Sequence, residues 1–149
     1  MLDRPRGAIV PMSEVTFPVE FAIAATPLSL QASTASRQRW QSRLASAAKA
    51  ALPEWVWLDD RAIAVTIFYF PPAAMQGDID NIVKPILDSL CTVAYRDDQV
   101  VDRVWVQKFE PGSLYTFRDP SPTLAAALET QAPVLYIRID DGVSRGDFP

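Results

Sequence analysis

Residues 62–90, AIAVTIFYFPPAAMQGDIDNIVKPILDSL, change their hydrophobic period in mid-stretch, and that change decides the fold class. The first nine residues are short, β-branched and aromatic, which predicts a buried strand. PPAAMQG breaks it as a loop. Beyond the loop Ile82, Val83, Ile86, Leu87 and Leu90 recur at helical spacing, so the chain turns from strand to helix, with Asp78 or Asp80 as the natural cap. Pro85 lacks the donor that the carbonyl of Asn81 needs and predicts a kink in the first turns unless the helix cap lies close by.

Outward from that unit the elements repeat. Residues 15–25, VTFPVEFAIAA, alternate apolar side chains at period two and read as a strand with Pro18 near its start. Residues 34–51 carry Trp40, Leu44, Ala47 and Ala51 at helical spacing behind a Ser33 or Thr34 cap, and Pro53 ends the helix. VVDRVWVQKF (100–109) and PVLYIRI (133–139) predict two further strands, and SPTLAAALET (121–130) predicts a short third helix with serine cap and proline at its first position. Four strands and two main helices plus a short one make an α+β fold on a mixed sheet. One domain over 1–149 is expected, with 1–12 and 141–149 as flexible ends. Trp40 and Trp105 are assigned to the core.

Composition narrows the chemistry. The chain has no histidine and one cysteine, Cys91, which sits in an apolar helical run and reads as a small buried hydrophobe. Ser-His-Asp and Cys-His pairs and most zinc sites are thereby excluded. Carboxylate, lysine and arginine remain, and clustered carboxylates suit Mg²⁺, Mn²⁺ or Ca²⁺. No apolar run has the roughly 18 to 20 residues of a membrane span, and nothing at the N-terminus directs export, so a cytoplasmic location off the membrane is expected. The formal net charge of −4 argues against a nonspecific nucleic-acid coat, yet a metal-binding acid cluster contributes to that balance.

The acids are clustered. Asp80, Lys84 and Asp88 step by four, Asp78 stands just ahead, and Asp97 and Asp98 follow the helix. A strand starting beside the same helix would bring Asp98 to Asp78 and Asp80 and assemble an ion site from two elements. The same spacing also describes an exposed charge ladder with Asp78 as a cap and Asp97 and Asp98 as turn residues. Spacing alone leaves both readings open.

The stretch GDIDNIVKPILDSLCTVAYRDDQVV (77–101) resembles the signature of RusA-family crossover-junction endodeoxyribonucleases, a paired-aspartate D-x-D-N-x-x-K followed by an aromatic residue and D-D before a strand. It departs from that pattern at Pro85, in place of a helix-favouring residue, and in the spacing of Asp97, Asp98 and Gln99. The resemblance implies a Mg²⁺-dependent (or Mn²⁺-dependent) endonuclease that resolves four-way junctions in branched DNA and acts as a homodimer. By position it implies Asp78, Asp80 and Asp98 as catalytic metal ligands, with Asp97 as a further ligand candidate, and Lys84 as the essential lysine beside the phosphate. Asn81 and Asp88 would orient these groups from behind, Asp88 as partner of Lys84.

DNA contact is expected from the first long helix. No acidic residue occurs from Phe21 to Pro53, whereas Arg37, Arg39, Arg43 and Lys49 are present; Lys108, Arg103 and Arg96 form a second basic set beside the strand after Asp98. Trp55, Trp57 and segment 111–132 are candidates for a dimer interface. Two rival readings stay open: a RusA-like binding module without cleavage, and a metal-dependent nucleotide phosphohydrolase using the same carboxylates.

Overall fold

The computed structural model describes residues 17–27, 33–52, 62–91, 93–95 and 97–141, with only the backbone of Asp98. The elements follow the order β1 (Val19–Ile23), α1 (Thr34–Ala51), β2 (Ile63–Phe70), α2 (Val83–Leu90), β3 (Val101–Lys108), α3 (Pro122–Glu129) and β4 (Val134–Asp141). The strands form one sheet in the order β1-β4-β2-β3, antiparallel except where β2 meets β3. That mixed α+β architecture is the one expected from the sequence. Parallel neighbours need a crossover, and α2 supplies it.

β2 is buried along nearly its whole length because both of its faces are covered. Ile63, Val65, Ile67 and Tyr69 point into a core shared with Trp40, Leu44 and Ala48 of α1 and with Ile82, Ile86 and Leu90 around α2. Phe68 and Phe70 point the other way, against Phe109, Tyr136 and the Leu124 and Ala127 face of α3. The period-two alternation of a strand thus feeds two cores at once.

The caps follow the sequence. Ser33 accepts the backbone N–H of Ser36 at 3.2 Å and Ser121 that of Leu124 at 3.1 Å, so α1 and α3 start where serine offers an acceptor. Pro85 causes no kink. A 3₁₀ turn at Ile79–Ile82 precedes α2, which puts Pro85 inside the first α-helical turn, where a missing N–H costs no helical bond.

Two expectations change. β1 is shorter than the described part of the alternating stretch, since Phe17, Pro18, Ala24 and Ala25 stand outside it, while residues 15 and 16 lie outside the described residues. Trp105 is not in the core: it is 56% exposed on β3, touching Phe68 edge to face at 5.5 Å between ring centres. The reason is topological, since among the described residues β3 ends the sheet and has a neighbour on one side only. Trp40 is buried as expected, its indole N–H donating to the Thr26 carbonyl at 3.1 Å. Trp55, Trp57 and Arg96 lie outside the described residues. No helix among the described residues is long and apolar enough to cross a membrane.

Candidate active site and nucleic-acid interface

Gly77 opens the acidic segment with φ of +83°, a left-handed backbone that disfavours any side chain, and so turns the loop after β2 toward the helix. Asp78 follows in extended conformation at the N-cap of the 3₁₀ turn, where its carbonyl accepts the Asn81 N–H at 3.1 Å. Its carboxylate makes no capping bond. The capping role that would explain an aspartate here without function is therefore not the one it plays. Asp80, inside the 3₁₀ turn, is likewise exposed.

Asp78 and Asn81 line a cleft of about 700 Å³ with Thr26, Tyr69, Met75 and Ile82. The cleft stands over the C-terminal end of β2, between the segment that links β1 to α1 and the 71–77 loop. Glu110, just past β3, accepts the Met75 N–H at 2.6 Å and fixes that loop. The Met75 amide and the Lys108 ammonium, 3.2 Å away, hold the Glu110 carboxyl below its ordinary range. Sequence reasoning passed over Glu110, because its role is set by a partner 35 residues away in the chain.

Lys84 and Asp88 occupy the exposed face of α2 and pair at 2.8 Å, the i,i+4 contact that helical spacing predicts. The lysine ammonium is thereby held on the side of α2 away from the core, one turn beyond Asp80. At the other end of α2, Tyr95 is fully buried and donates its hydroxyl to the Leu87 carbonyl at 2.8 Å. The aromatic position of the signature thus closes the helix.

The turn before β3 separates the two neighbouring aspartates. Asp97 accepts the Gln99 N–H at 3.0 Å and its carbonyl accepts that of Val100, so it performs the turn role foreseen for it. Asp98 begins the following 3₁₀ turn, and its side chain lies outside the description. Parallel register places this turn by Val101 and hence by Ile63, the first residue of β2, whereas Asp78 shares its cleft with Tyr69 near the last. The backbone of the Asp97–Asp98 turn thus lies toward the start of β2, and Asp78 toward its end. Among the described residues no three acidic or cysteine side chains gather as a metal site.

Basic residues line α1 as expected, and each of Arg37, Arg39, Arg43 and Lys49 is exposed. Arg39 donates to the Ser36 hydroxyl at 3.3 Å, and Arg43 reaches back to the Ala24 carbonyl at 2.8 Å. The latter clamps the segment after β1 that forms one wall of the cleft. Lys108 pairs with Glu110.

No curated protein matches the chain. The family model described as Endodeoxyribonuclease RusA matches residues 26–115, from the cleft wall at Thr26 through both acidic segments to the aromatic loop after β3. On that match, which covers more than half of its length, the chain belongs to the RusA endodeoxyribonuclease family.

Proposed function

We propose that the protein is a structure-selective endonuclease that hydrolyses phosphodiesters in branched DNA, resolving four-way junctions with Mg²⁺ or Mn²⁺ as a homodimer. The observation that carries this reading is the uncapped Asp78 carboxylate beside the exposed Asp80, at the mouth of a cleft within the region the family model covers. A pair of aspartates with no structural duty, and no nitrogen or thiol donor nearby, fits a hard divalent cation.

Asp78, Asp80 and Asp98 would hold the metal, with Asp97 contributing mainly by shaping the turn through Gln99. When bound, the ion supplies activation of the attacking water and neutralisation of charge at the phosphate. Lys84 brings a positive charge to the phosphate, and Asp88 positions its ammonium. Asn81 supports the turn on which Asp78 and Asp80 stand. Arg37, Arg39 and Arg43 would bind the DNA backbone, an interaction that holds the duplex arms without reading bases.

Because the backbone of the Asp97–Asp98 turn lies by the start of β2 and Asp78 by its end, a site that used both would draw them from different copies. A two-fold axis would then create two equivalent sites, one for each of the symmetric cuts a junction needs.

Labelled four-way junction, linear duplex and nucleoside triphosphates, incubated separately with the protein and Mg²⁺, test the proposal. Cleavage confined to the junction is expected. Binding without cleavage would favour a DNA-binding module, and triphosphate hydrolysis a nucleotide phosphohydrolase.

A further inference from the structure

The sheet has two outer strands, and they are unlike. β1 is five residues long, with Pro18 directly before it, and is flanked by α1 and α3. β3 runs for eight residues without proline, and among the described residues nothing pairs with its outer side. Such an edge presents unpaired N–H and C=O groups and is ordinarily shielded by proline, a bulge or charge. On β3 the single irregularity in register lies at its start, around Asp102, and the pairs from Arg103 to Lys108 are regular. In the middle of this edge stand Val104, 36% exposed, and Trp105, 56% exposed.

We propose that the open edge of β3 is the homodimer interface, pairing antiparallel with β3 of a second copy about a two-fold axis at Trp105. The inference rests on the homodimer reading above and gives it a surface. An axis relating two antiparallel edge strands must stand perpendicular to the sheet, so one residue faces its own counterpart. Centred on Trp105, the pairing sets Val104 against Val106 of the second copy and Asp102 against its Lys108. Apolar thus meets apolar and acid meets base, twice over by symmetry. Centring on Val104 would put Asp102 opposite Val106, and centring on Val106 would put Val104 opposite Lys108. Only the Trp105 register is complementary in both charge and hydrophobicity. It also joins the two sheets into one with α1 and α2 of both copies on a common face. The turn bearing Asp97 and Asp98 of each copy then lies toward the far end of β3 in the other, the end where Glu110 holds the loop leading to Asp78.

Sedimentation of the full chain over a concentration series, with circular dichroism to establish folding, reads the interface. The wild type is expected to be a dimer. Asp102→Lys or Lys108→Asp alone sets like charges opposite each other at two symmetric positions and should raise the dimer dissociation constant about tenfold or more. The double exchange, Asp102→Lys with Lys108→Asp, restores opposite charges and should return it to near the wild-type value. In a Cys91→Ser background, Trp105→Cys should form an intermolecular disulfide on oxidation, because directly opposed strand residues lie about 4.5 to 5.5 Å apart at Cα. Gln107→Cys, displaced from its own counterpart along the strands, should not. A monomeric wild type, or a dimer indifferent to the charge exchange and uncrosslinked through position 105, overturns the proposal. Junction cleavage by the wild type is scored separately. A dimer paired at β3 that cleaves nothing overturns the nuclease reading alone, and cleavage by a chain that fails the charge and crosslinking tests overturns the interface alone.

Discussion

Glu110 accepts the backbone N–H of Met75 at 2.6 Å, and so the residue that leaves β3 fixes the loop that leads from β2 to Asp78. The bond joins the sheet to the mouth of the cleft. It is charge-assisted on the acceptor side, and Lys108 strengthens it from 3.2 Å.

Acid should release this loop before it unfolds the chain. The Glu110 carboxyl is held below its usual value of about 4.5 by the Met75 amide first and Lys108 second, so it favours the native state when ionised. For a group depressed by folding, the stabilisation is complete above its unfolded value and disappears as pH falls through the folded one. The protection factor of the Met75 amide, followed by NMR relative to the intrinsic exchange rate at each pH, should therefore be high near neutrality and fall below pH 4.5. Glu110→Gln should show the lower protection already at pH 7, with the rest of the sheet unaffected.

Asp80→Asn is expected to abolish junction cleavage while preserving or tightening binding, since it removes a proposed metal ligand and a negative charge near the phosphates together. Asp78→Asn should do the same. Because the Asp78 side chain makes no capping bond, Asp78→Ala should also cost less stability than the roughly 1 kcal/mol of a lost N-cap. Thermal melts beside cleavage assays check both. A folded Asp80→Asn protein that loses binding together with cleavage would count against a metal role.

The fold was legible in the sequence because its elements announce themselves by period. β2, α1, α3 and the helix after Asp80 stand where alternation, helical spacing and serine caps put them. Trp105 was misjudged because aromatic content reports strand propensity but not strand order, and the edge position of β3 follows from pairing across the whole chain. Pro85 left two outcomes open, and the 3₁₀ turn ahead of α2 decides between them: it brings the helix start close to the proline, which fits a first turn where it would break a helix interior. The candidate acidic positions could be named from their spacing, whereas the placement of the Asp97–Asp98 turn near the start of β2 depends on the parallel pairing of β2 with β3.

Tyr95→Phe should lower stability by about 0.5 to 1.5 kcal/mol, the net worth of one hydrogen bond, without altering metal-dependent chemistry. The ring is fully buried and keeps its packing in phenylalanine, while the bond to the Leu87 carbonyl is lost. That carbonyl retains the Cys91 N–H at 3.1 Å, so a larger loss is not expected. Urea denaturation with an unchanged m-value would confirm that stability alone has moved.

The arginines of α1 lead to a prediction in salt dependence. Each phosphate contact on duplex DNA releases about one counterion, so Arg39→Ala with Arg43→Ala should lower the slope of log K against log salt by roughly two. The two residues stand one helical turn apart and both are exposed, which lets them follow one strand of the backbone. Their local bonds separate the single variants. Arg39 donates to a neighbouring Ser36 hydroxyl and can leave it without consequence for the fold, so Arg39→Ala should change DNA binding and leave the melting temperature alone. Arg43 also clamps the Ala24 carbonyl at the cleft wall, so Arg43→Ala should reduce the slope and loosen the segment between β1 and α1, visible as faster exchange at residues 24–27. Mg²⁺ affinity should be unchanged in both, because neither arginine touches Asp78 or Asp80. A slope equal to that of the wild type would assign α1 to solvent and move the DNA to Arg103 and Lys108, the exposed basic residues of β3.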